Sequence, residues 1–154
     1  MNEYRISKYD LTYRKNGVYI KEDWTSISDI GKVYDGNLFT LEDYLIVEDS
    51  YLRFIHILCT ELDVHDIKIN GLEDYKNKCK YVQASTLSIN DVLQISRGCL
   101  REEYWCRLES DQIFFHFGYD YYMYIGCSLS YEYVCRIALS CNLFVEQRNS
   151  PYKT

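Results

Sequence analysis

The chain holds a single proline, Pro151, in its tail, and it has no Gly-, Ser- or Pro-rich linker, no internal repeat and no low-complexity tract. Nothing marks a domain boundary, so one domain over residues 1–154 is expected. The seven glycines form neither G-x-G-x-x-G nor G-x-x-x-x-G-K, which leaves no sequence sign of a phosphate cradle. The longest apolar runs, Ile113 to Phe117 and Tyr121 to Ile125, fall far short of the roughly 20 residues that span a bilayer, and no membrane insertion is expected. The seven cysteines contain no C-x-x-C pair and the three histidines are not set at ligand-like intervals, so neither a metal nor a cofactor is expected.

Cations are also in the minority. Seventeen Lys and Arg against 23 Asp and Glu give a formal charge of -6 and a pI near 5.1. That balance opposes binding to nucleic-acid phosphates, which is driven by Lys and Arg, and favours basic partners. The cysteine count is odd and no charged, apolar, small-residue leader begins at Met1, so free thiols in a reducing cytoplasm are expected.

What is present is apolar and aromatic: 47% hydrophobic residues, 16% aromatics and 17 tyrosines. A chain of this size can bury roughly 70% of the surface its unfolded form exposes, without disulfide support. Tyr4 to Ser7 alternates as an opening strand, and Asn16-Gly17 reads as a turn before Val18 to Ile20. Ser26 to Val33 suits a short helix ending near Asp35-Gly36. The clearest element starts at Thr40, a helix cap followed by Glu42 and Asp43, and runs to about Leu62. Its apolar stripe passes through Leu41, Leu45, Leu52, Ile55, Cys59 and Leu62, widened by Tyr44, Tyr51 and Leu58. Ile67 to Ile69 alternates as a strand closed by Asn70-Gly71, and Tyr81-Val82 suits a short strand. Ser88 or Asn90 can cap a second helix, with Val92, Leu93, Ile95 and Leu100 as its apolar positions.

Strand signal concentrates in the last third. Trp105 to Leu108, Gln112 to Phe117 and Tyr121 to Cys127 form an expected three-stranded meander. A helix from Ser128 or Ser130 and a strand at Leu143 to Val145 complete an α+β, two-layer reading, with a mostly antiparallel sheet and helices on one face.

Candidate chemistry is sparse. His116 sits in a strand beside those of Cys106 and Cys127, where it could activate a thiol or serve simply as a core histidine. Asp66-Ile67-Lys68 has the outline of a nuclease carboxylate-lysine element, but such triplets are common on exposed strands. Glu42-Asp43 and Glu102-Glu103 are sequence neighbours whose side chains point apart, so neither pair suits acid/base work. Lys76, Lys78 and Lys80 read as a solvated connection. The segment from Phe114 to Gly126 is the densest in rings; in a hairpin one set of rings faces the helices, and the other is either an interface or covered by a further layer.

Two stretches, Asp23 to Gly31 and Phe115 to Gly126, resemble a family of small, uncharacterised bacterial cytosolic proteins, some of which look like immunity proteins of polymorphic toxin systems. The resemblance implies a protein partner and carries no catalytic residue with it. The expected function is therefore non-catalytic, stoichiometric binding that occludes a basic toxin enzyme. A small enzyme or ligand-binding domain with a site assembled from distant residues, or a self-associating subunit, are the alternatives. The candidate partner surface is the hairpin end Tyr119, Asp120, Tyr121 and Tyr122, with Asp23 and Trp24, and Glu102, Glu103 and Trp105, as secondary positions.

Overall fold

A short side-chain oxygen caps each helix, and in two of the three a carboxylate completes the cap. In the computed structural model, which describes residues 1–153, Thr40 and Asp43 form a capping box at the start of α1 (Leu41–Glu61). Ser88 and Asp91 do the same for α2 (Ile89–Leu100), and Ser130 caps α3 (Tyr131–Ser140).

The strands are β1 (Asn2–Ser7), β2 (Arg14–Lys15), β3 (Val18–Tyr19), β4 (Val33–Tyr34), β5 (Asn37–Leu38), β6 (Ile67–Glu73), β7 (Thr86–Leu87), β8 (Trp105–Glu109), β9 (Phe114–Phe117), β10 (Met123–Cys127) and β11 (Phe144–Gln147). Seven of them form one antiparallel sheet in the order β11-β1-β10-β9-β8-β6-β7. The expected meander is its β8-β9-β10 portion. The fold is thus α+β, with α2 against β7 and β8, and α3 against β11.

Register explains the two faces. Ile69, Leu108, Phe115, Ile125 and Tyr4 lie side by side across the sheet, and all belong to the buried core shared with the helices. One residue along, Asn70, Arg107, His116, Tyr124, Arg5 and Glu146 form a polar row on the opposite face. The C-terminal segment crosses that second face. Ser150 Oγ meets His116 Nδ1 at 2.7 Å, Ser150 N–H donates to Glu3 at 2.9 Å, Lys153 pairs with Glu3, and Arg107 donates to the Tyr152 carbonyl at 3.3 Å. A loop therefore covers the second set of rings, and Phe114 and Tyr124 are buried.

Several boundaries differ from the sequence reading. Ser26 to Val33 is not an α-helix: Ser26 caps a single 3₁₀ turn, Ile27–Asp29, and Asp35-Gly36 is the turn of the β4-β5 hairpin, both residues at positive φ. β6 is not closed by Asn70-Gly71 but continues across them through an irregularity to Glu73. Tyr81-Val82 is not a strand, and β7 supplies the sheet edge instead. In α1 the buried line runs through Tyr44, Glu48, Tyr51, Leu52, Ile55, Leu58 and Cys59, while Leu41 and Leu45 are exposed. Glu48, 2% exposed, lies on that face and accepts hydrogen bonds from Arg97 at 3.2 Å and from Arg101 at 2.7 and 2.8 Å, so a charged residue occupies the stripe facing α2.

Candidate functional site

The C-terminal end of α2 places its last carboxylates by backbone geometry. Glu102 N–H donates to the Cys99 carbonyl at 3.1 Å and Glu103 N–H to the Gly98 carbonyl at 3.0 Å, a Schellman termination. Such a termination needs a left-handed residue, usually glycine. Here it is Glu102, at φ 59°. The turn sends the two neighbouring carboxylates apart: Glu102 onto one groove, Glu103 onto a depression shared with Lys78, Lys80 and Arg97.

The groove that receives Glu102 has a volume of about 330 Å³. Glu73 joins Glu102 there because the irregularity in β6 brings Glu73 opposite Trp105. The Trp105 indole N–H donates to the Phe117 carbonyl at 2.8 Å, which fixes the ring and leaves its faces as the available surface. Tyr152 lies 5.6 Å from Trp105, centroid to centroid, and Tyr119 stands at the rim, 81% exposed. Tyr104 completes the aromatic lining, lying so close over Gly98 that a Cβ there would meet its ring at 2.2 Å. Burial holds the hydroxyls of Tyr104 and Tyr152 above the usual phenol range, so both rings are neutral. Among the described residues neither Glu73 nor Glu102 makes an ion pair. Lys76 Nζ approaches, but it donates to the Glu102 main-chain carbonyl at 3.2 Å rather than to a carboxylate.

Of the residues singled out in the sequence, Glu102, Trp105 and Tyr119 converge on this groove from three segments. Asp120 is exposed beside them at φ 58°. Tyr121 turns inward, donating to Tyr44 at 3.0 Å while its carbonyl accepts from Tyr51 at 2.6 Å. Tyr122 accepts from Arg14 at 2.9 Å and lies under the Arg5 guanidinium, 4.2 Å from the ring centroid. Trp24 is buried, and Asp23 pairs with Lys8 at 2.9 Å. The groove also includes Glu73, Tyr104, Phe117 and Tyr152, which the sequence did not announce. Glu73 is reached only across a strand irregularity and Tyr152 only by the path of the tail, and neither leaves a periodic signal.

Two clusters show how this chain treats cations. Lys8 Nζ sits 4.2 Å from the Tyr9 ring and 4.1 Å from the Trp24 ring, with Asp23 as its carboxylate. Burial pulls its ammonium down to about 8 against the opposing pull of Asp23. Arg5 lies over Tyr122 and donates from Nη2 to both Glu146 oxygens at 2.9 and 3.0 Å. Each cation has a ring face and a carboxylate.

His116 and Ser150 are engaged with internal partners. His116 bridges Ser150 Oγ and Glu109, the latter at 2.8 Å, and burial lowers its pKa against the pull of Glu109. Ser150 Oγ also accepts the Tyr152 N–H at 3.1 Å, so this relay fastens the tail to the sheet. His116 faces away from Cys106 and Cys127, which lie on the core side, and the conceivable thiol-imidazole pair is not formed. Asp66 and Lys68 are exposed, and no group of metal-ligating side chains is found among the described residues. All seven cysteines are free, although Cys99 and Cys106 stand 3.7 Å apart, sulfur to sulfur. Among the described residues no helix is long and apolar enough to cross a membrane. No family model, no curated protein and no solved structure matches the chain.

Proposed function

We propose that this chain is a non-catalytic, stoichiometric binding protein that occludes a basic toxin enzyme, acting as its immunity protein. The observation that carries the reading is the groove in which Glu73 and Glu102, both without a salt-bridge partner, flank Trp105, Tyr104, Tyr119 and Tyr152. Rings that are large, stiff and partly exposed anchor protein interfaces, and a net charge of -6 steers a cationic partner toward them.

The test is affinity capture with the tagged protein as bait, followed by mass spectrometry and reconstitution of the captured pair. The expected result is a basic protein bound one to one, whose enzymatic activity is lost at stoichiometric ratio. Association should slow markedly as salt rises, with dissociation much less affected. Turnover of a small substrate by the isolated chain, or a partner whose activity is untouched at saturation, would overturn the reading.

A further inference from the structure

We infer that the groove is a receptor for one arginine side chain presented by the partner; this rests on the binding reading above and specifies what the groove holds. The two internal cation clusters supply the rule. Where the chain places a carboxylate beside a ring face, it fills the space with its own Lys8 or Arg5. The groove repeats the arrangement at larger scale, with two carboxylates and the rings of Tyr104, Trp105, Tyr119 and Tyr152, and no cation of the described residues is paired with either carboxylate.

The shape selects arginine over lysine. A guanidinium is flat, stacks on indole and phenol rings, sheds its hydration more easily than an ammonium, and forks toward two acceptors at once. Glu73 and Glu102 come from different elements, β6 and the turn after α2, and both line the groove. The Trp105 N–H is already committed to Phe117, so the indole offers a face to a cation and no donor to an anion. A volume of about 330 Å³ accommodates a long side chain with its head inside.

The proposal is tested on ¹⁵N-labelled protein by NMR, following the indole N–H signals of Trp24 and Trp105 during titration with N-acetylarginine amide. N-acetylcitrulline amide, its neutral isostere, is the control. The expected result is a saturating shift at Trp105 with Trp24 unmoved, at least tenfold weaker for citrulline, and at least tenfold weaker for arginine in the Glu73→Gln/Glu102→Gln double variant. Equal responses to arginine and citrulline, or an unchanged arginine response in the double variant, would overturn it. Both exchanged residues are exposed and without salt-bridge partners, so the variant should fold as the parent does.

A second arm separates the two levels of the argument. If a basic partner is captured and the double variant binds it as tightly as the parent, the arginine receptor falls while occlusion stands. If arginine is held as described but the captured partner keeps its activity, the receptor stands and occlusion falls.

Discussion

Replacing Glu102 by glycine should make the protein more stable and weaken the proposed arginine site. Glu102 sits at φ 59° in the left-handed position of the α2 termination, where a side chain costs roughly 1–2 kcal/mol. Glycine removes that cost but gives back about 0.5–1 kcal/mol through the greater freedom of the unfolded chain. The exchanged carboxylate has no salt-bridge partner to lose, and both main-chain bonds of the termination survive. A net gain of about 0.5–1 kcal/mol follows, worth a few degrees in Tm for a chain of this length. Glu102→Ala is the control, since it removes the same carboxylate while leaving a Cβ in the left-handed conformation. Urea unfolding should then rank glycine above both parent and alanine, whereas arginine binding should weaken equally in the two variants. If alanine and glycine prove equally stable, no strain is stored at Glu102, and the cost assigned to its left-handed conformation is wrong.

Three further outcomes follow from the packing. Glu48→Ala should cost about 2–3 kcal/mol by urea unfolding, less than a fully buried pair because Arg97 and Arg101, 38% and 29% exposed, can turn to water. In Gly126→Ala the new Cβ would meet the Phe114 ring at 2.1 Å, and that ring is stacked on the pinned His116 at 4.2 Å; a loss of about 1–3 kcal/mol is expected from chemical denaturation. Burial would raise the Asp29 carboxyl, but Lys32 and the N–H groups of Thr25 and Ser26 hold it down to about 2, below its ordinary 3.8. Its contribution is therefore complete above the unfolded value and lost as pH falls through about 2, so the fall in stability from pH 4 to pH 2 should be shallower in Asp29→Asn.

The elements legible in the sequence were those with a strong local period or cap. Caps at Thr40, at Ser88 or Asn90, and at Ser128 or Ser130 announce three helices, of which Thr40, Ser88 and Ser130 are the caps that form, and the ring-rich alternation after Trp105 announces the meander. Leu41 and Leu45 depart from the reading because periodicity assigns every leucine on the stripe to the core, and it gives no sign that Glu48 on the same stripe is buried against Arg97 and Arg101. Asp35-Gly36 was correctly a break but was assigned to a helix end, since the same dipeptide serves a two-residue hairpin. Glu102, Trp105 and Tyr119 were visible as candidates. Their meeting with Glu73 and Tyr152 was not, because it depends on a strand irregularity and on a tail that crosses the sheet, both of which are set by distant contacts.

The position of β1 between β10 and β11 sets a timetable for the molecule. Tyr4 takes its neighbours from Ile125 on one side and Gln147 on the other, so β1 cannot be fully paired until both β10 and β11 have been made. Until then Ile6, completely buried in the finished sheet, has neither flanking strand to cover it. Pairing β1 with β10 and β11 brings together strands far apart in sequence, a contact that is slow and entropically costly to close. Synthesis through β11 thus closes an edge that stays open on the shorter nascent chain, and pauses before it prolong the interval in which that edge is free to join another chain.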